Sequence, residues 1–138
     1  MQNYNLNYFI GKNWSFVLIK NNKMIYKSKS QGLKPLVFCL KNYKKEMQGA
    51  VVYDKIIGRA AAMLLVYGKI KEVWMPIISE GGLEYLQKNK IKIIYQDKVK
   101  NILNIKGDDL CPMEKMSNGK GLAGLLEVFE LKNIFESK

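Results

Sequence analysis

"VVYDKIIGRAAAMLLVYG" (51–68) is the stretch whose reading decides the fold. Its first part belongs to "GAVVYD" (49–54), a short β-branched run that reads as a buried strand. From Gly58 onward, "GRAAAMLLVYGKI" (58–70) is apolar almost all round, so it predicts a helix covered by protein on most sides. Gly68 and Lys69 suit the C-terminal end of that helix. At its start stands Arg59, the only arginine in a chain with 23 basic residues.

Working outward, "EVWMPII" (72–78) reads as the next strand, with Pro76 placing its end near an edge or a loop. "SEGGLEYLQKNK" (79–90) predicts a short helix with Ser79 as N-cap, and "IKIIYQ" (91–96) a further strand. Upstream, "WSFVLIK" (14–20) and the alternating "KMIYKS" (23–28) flank "NN" (21–22), which tolerates positive φ, and so predict a β-hairpin. "LKPLVFCLKNYKKEM" (33–47) has apolar residues at 33, 36, 37, 40 and 43, a helical spacing with Pro35 in the first turn. Residues 2–11 suggest a short helix presenting Leu6, Phe9 and Ile10. Residues 98–121 read as loop-rich, with one helical turn at 99–104 and Pro112 as a possible helix start, and 122–137 as an amphipathic helix.

Strands separated by helices of this length imply parallel crossovers. The expected fold is α/β: a three-layer α-β-α arrangement, with a mixed five-strand sheet and an N-terminal β-hairpin whose first strand supplies the antiparallel edge. The length suits one domain over residues 1–138.

Composition narrows the chemistry. The longest uncharged apolar stretch, Ala60 to Gly68, is far too short to span a bilayer, and the N-terminus has no basic-then-apolar signal pattern. A cytoplasmic protein with no membrane partner is expected. There is no histidine, which excludes Ser-His and Cys-His dyads and histidine metal sites within one chain. Cys39 and Cys111 form no C-x-x-C pair, so no zinc-ribbon or thioredoxin-type motif is present. Cys39 lies on the apolar side of its helix and reads as core. The net charge of +11 suggests a polyanionic partner; scattered lysines, together with abundant asparagine and isoleucine, fit an AT-rich coding bias equally well.

In parallel sheets, ligands collect beyond the C-terminal strand ends, where helix N-termini point. "SQGLKP" (30–35), "DKIIGR" (54–59), "PIISEGG" (76–82) and "GDDLCPME" (107–114) should meet there. Gly58 permits close backbone approach. Arg59 adds a bidentate donor fork where the helix dipole already favours an anion. A cation at a helix start opposes that dipole, so Arg59 either binds an anion or pairs with Asp54 or Glu80. Lys34 and Lys55 add positive charge, Ser79 and Asp54 offer polar contacts, and Glu80 is a candidate acid/base. Cys111, between Asp108/Asp109 and Glu114, is either a nucleophile activated by a nearby cation or a small buried side chain.

"NNKMIYKSKSQGLKPL" (21–36), "YDKIIGRAAAMLL" (53–65), "EVWMPIISEGGLEYL" (72–86) and "GDDLCPMEKM" (107–116) carry a resemblance. Together they resemble the cytidine-deaminase-like fold, and more closely a small uncharacterised prokaryotic family assigned to that fold. The resemblance implies a pocket at the helix starts. In zinc-dependent deaminases an H/C-x-E motif and a P-C-x-x-C motif supply the zinc ligands and the proton-shuttling glutamate. Here "GLKP" (32–35) and "DKIIGR" (54–59) hold those places without the ligands or the glutamate, so neither a metal nor a cofactor is expected. Three readings follow. The first is a zinc-less deaminase-like domain binding a small anionic or nucleotide-like ligand, with Glu80 or Cys111 available for catalysis. The second is a basic nucleic-acid-binding module. The third is an oligomeric interaction or regulatory protein, for which the resemblance implies a homodimer with Trp74 and Tyr85 as candidate contacts.

Overall fold

A computed structural model describes residues 4–103 and 112–131. The hairpin is formed by β1 (Phe16–Lys20) and β2 (Lys23–Ser28), and both turn asparagines adopt positive φ, 53° at Asn21 and 63° at Asn22. Ahead of it, α1 (Leu6–Gly11) is capped by the Asn5 side chain, which accepts the Tyr8 N–H. The segment read as one helix over 33–47 is two: α2 (Lys34–Asn42) and α3 (Lys44–Met47), separated at Tyr43 by a non-helical backbone (φ −129°, ψ 34°).

The opening stretch folds as read, into β3 (Val51–Asp54) and α4 (Arg59–Tyr67), with a two-residue strand β4 (Ile56–Ile57) between them. Beyond it come β5 (Glu72–Ser79), α5 (Glu80–Lys88) and β6 (Lys92–Val99). The sheet has six strands rather than five, yet five positions across. Strand β3 pairs parallel with β5 through Tyr53 and Trp74, and β4 pairs with the same edge of β5 through Ile56 and Ile77. The register is unchanged between the two, so β3 and β4 are one strand broken at Lys55. Strand β6 lies on the other side of β5, also parallel.

Two expectations are corrected by this topology. The antiparallel edge is β2, because β1 sits inside the sheet, antiparallel to both β2 and β3. Pro76 lies within an interior strand. On the shared register it falls across from Lys55, where the neighbouring strand is already interrupted, so its missing N–H removes little from the ladder.

Helix α6 (Pro112–Val128) begins ten residues before the amphipathic helix read at 122. Its path is broken at Gly121, whose φ of 65° and ψ of −159° are reached almost only by glycine. Val99 belongs to β6, so the helical turn read at 99–104 does not form over residues 99–103. Residues 104–111 and 132–138 lie outside the described residues, Cys111, Asp108 and Asp109 among them.

Helices lie on both faces of the sheet, unequally. One face, with Leu18, Val52, Val73 and Met75, packs under α2, α4 and α5 and under Leu125 of α6. Helix α4 buries six consecutive residues, Ala60 to Leu65, which explains its lack of a polar side. Cys39 is in this core, and burial pushes its thiol up to about 12, leaving an inert side chain. The other face, with Val17, Ile19 and Tyr53, is covered by α1 through Phe9, which stacks on Tyr53 at 5.0 Å. Trp74 is half-buried beside this second cluster, and Tyr85 packs against the main core. Among the described residues no helix is long and apolar enough to cross a membrane.

Phe9 is 1% exposed although its helix has only six residues. Phe9→Ala is expected to cost about 3–5 kcal/mol, the range for a buried aromatic, in urea denaturation. A loss below about 1 kcal/mol would show that α1 does not seal this face.

Candidate functional site

Helices α4 and α5 start side by side at the C-terminal ends of β4 and β5. The start of α4 has no local partner for its free N–H groups: its N-cap is Gly58, and its first turn contains no acidic residue. The missing acceptor comes from α6. Glu114 is 7% exposed and spreads its carboxylate over the helix end, Oε1 accepting the Arg59 N–H at 2.8 Å and Oε2 the Ala60 N–H at 2.9 Å. A carboxylate there also meets the positive end of the helix dipole.

Gly58 is required by this contact and not by its backbone, since its φ of −101° suits any residue. A Cβ at Gly58 would lie 2.5 Å from the Glu114 carboxylate carbon and 2.7 Å from Oε2. The close approach read for Gly58 is thus made by the chain's own carboxylate. Helix α5 fits as tightly from the other side, because a Cβ on Gly82 would meet the Gly58 carbonyl oxygen at 3.0 Å.

Ser79 caps α5 as its position suggests. It is 2% exposed and its Oγ accepts the Gly82 N–H at 3.0 Å. Glu80 is exposed in the first turn of α5. Arg59 is half-buried, and its stem runs past the start of α5: a Cβ on Gly81 would sit 3.7 Å from Arg59 Cβ and 3.9 Å from its Cδ. Its Nε is buried and, among the described residues, has no hydrogen-bond partner.

Asp54 marks the strand break. It is 7% exposed, and burial pushes its carboxyl well above the usual carboxylate range, against the stabilising backbone N–H groups of Ile56 and Lys55. Lys34, the first residue of α2, and Lys55 are exposed.

The structure therefore brings Gly58, Arg59, Ser79 and Glu114 into one junction. In the sequence Glu114 stands out only as a neighbour of Cys111. The signal that would have found it is an apolar helix start lacking any acid or hydroxyl of its own. No histidine or cysteine stands at the starts of α2 and α4. Among the described residues no group of three His, Cys, Asp or Glu is placed to hold a metal ion, and no step is derived through one.

These features define a mixed α/β domain with a carboxylate-capped helix start and an arginine at its rim. The chain belongs to the family described as TM1506, a domain of unknown function (DUF1893), whose model matches residues 5–129. It is similar to the crystal structure of a DUF1893 family protein (TM1506) from Thermotoga maritima at 2.70 Å, with a TM-score of 0.80 and 28% identity over 91% of this chain and 85% of that one. Lower likeness is found to Acinetobacter baumannii RibD. Form 1 gives a TM-score of 0.49 and 20% identity over 86% of this chain and 32% of that one. Form 2 gives 0.47 and 19% over 59% and 27%. Neither bears on function. No curated protein matches the chain.

Two outcomes test the junction. Gly58→Ala should cost about 1–3 kcal/mol in the natural chain and much less in a Glu114→Ala background. A coupling below about 0.5 kcal/mol in urea denaturation would remove the contact as the reason for the glycine. The second concerns pH. A carboxyl whose folded pKa lies above its unfolded value, about 3.9, favours folding most below that unfolded value. The benefit is lost as pH rises through the folded pKa. Relative to the natural chain, the melting temperature of Asp54→Asn should therefore improve from pH 4 to pH 8, read by thermal denaturation. An unchanged difference would place Asp54 in a wetter setting.

Proposed function

We propose that this chain binds a small anion, a phosphate or carboxylate carried free or on a nucleotide-like molecule, at the rim formed by the starts of α4 and α5. The observation that carries the reading is Arg59 Nε, buried and without a hydrogen-bond partner among the described residues. Leaving a buried guanidinium N–H unmet costs on the order of 1–3 kcal/mol, and more for a charged group. An anion that offers two oxygens to Nε and a terminal nitrogen together would remove that cost and use the fork geometry that lysine lacks. This answers why one arginine stands in a chain of lysines.

The Glu114 carboxylate refines the reading. It occupies the Arg59 and Ala60 N–H groups, so the incoming anion is assigned to the guanidinium and not to the amides of α4. Exposed Lys34 and Lys55 add attraction from solvent, and exposed Glu80 is the carboxylate on the rim suited to orient a ligand or move a proton. Asp54, buried and biased to its neutral form, serves the strand break in this reading and not the ligand.

The test is thermal denaturation of the natural chain, Arg59→Ala and Arg59→Lys with inorganic phosphate, small carboxylates, sugar phosphates and nucleotides. A ligand at a hundredfold its Kd stabilises by about 2.7 kcal/mol, a shift of several degrees. The expected outcome is a shift for one anion class in the natural chain, lost in folded Arg59→Ala and not restored by lysine. Equal shifts in all three proteins would overturn the assignment. So would Arg59→Ala failing to fold, which would make the arginine a structural group.

A further inference from the structure

At the opposite end of the sheet, a half-open cavity of about 370 Å³ lies on the face covered by α1, where β3 and β5 begin and the hairpin turns. None of its residues belongs to the Arg59 rim. Three aromatic side chains line it: Tyr4, Phe9 and Trp74. Tyr4 and Phe9 are stacked at 5.4 Å, and Trp74 meets Phe9 edge-on at 6.0 Å. The Trp74 indole N–H donates to the Glu72 carboxylate, which fixes the ring and gives the acidic group of the described lining a partner.

The rest of the charge is positive. Lys20 and Lys71 both line the cavity. Lys20 donates to the Gln48 carbonyl, holding its ammonium beside Gly49, while Lys71 is exposed. Aromatic walls select a flat ring, because stacking is indifferent to which ring is offered. Two lysines against one partnered carboxylate select an anion and reject a cation. The volume falls within the range of small-molecule sites, about 300–1,000 Å³.

We propose that this cavity is a second binding site, for a flat aromatic anion of the nucleoside monophosphate class. The base lies against the half-buried Trp74, whose ring is backed by the buried Phe9, and the phosphate faces Lys71 and Lys20. The site is independent of Arg59, so either assignment can fail without the other.

Trp14→Phe leaves Trp74 as the single tryptophan of the chain. Adenosine monophosphate is titrated into that protein while its fluorescence is followed. The same nucleotide is titrated by calorimetry into the natural chain, Lys71→Glu and Lys88→Glu, the last being an equal charge change on an exposed residue of α5. The calorimetric arm does not depend on the tryptophan substitution. Saturable quenching, with affinity at least tenfold weaker in Lys71→Glu and retained in Lys88→Glu, is the expected result. Three outcomes overturn the proposal. One is no binding up to about 10 mM, where affinity is below about 3 kcal/mol. Another is equal weakening by both lysine changes, which marks general charge attraction. The third is inorganic phosphate binding as tightly as the nucleotide, which removes the aromatic walls from recognition.

Discussion

The start of α4 is a buried helix end with nothing in its own segment to satisfy it, and the rest of the junction is arranged around that need. The acceptor is supplied from 55 residues away, by a carboxylate that reaches Arg59 and Ala60 together. The contact has several consequences at once. It excludes a side chain at position 58, brings the first segment of α6 onto α4, and neutralises the helix end that Arg59 opens. A buried carboxylate without two N–H donors would be costly, as would two buried N–H groups without an acceptor. Each group makes the burial of the other tolerable.

Much of the fold was legible because its signals are local. The hairpin follows from two asparagines between alternating strands, and both adopt the positive φ that their residue type tolerates. The buried character of α4 follows from an unbroken apolar run, and Ser79 announces the start of α5. What could not be read depends on partners distant in sequence. Pro76 looks like the end of a strand until its neighbour is known to break at Lys55. Glu114 looks like a surface carboxylate until α4 is seen to lack a cap. Pro112 reads as a possible helix start, but Gly119 and Gly121 blur the periodicity of the segment it opens.

The two ends of the parallel strands are chemically unlike. At the carboxyl ends the polar groups are mostly engaged with one another: Ser79 with the α5 backbone and Glu114 with that of α4. At the amino ends the lining is aromatic, with Lys71 exposed and Lys20 held on the Gln48 carbonyl. The net charge of +11 is thus not one uniform property. Some lysines border an aromatic wall, and others only add to the protein's overall positive field.

The break at Gly121 has a further consequence, of measurement. Glu114 touches the first turn of α4, while the backbone oxygen of Leu131 accepts the hydroxyl of Tyr67 in its last turn, at 3.0 Å. A straight helix from 114 to 131 would be about 25 Å long, whereas 59 to 67 spans about 12 Å. The stretch from 114 to 131 therefore works as a caliper closed on α4, its span shortened by the break at Gly121 and by the turn at Glu130, whose φ is 57°.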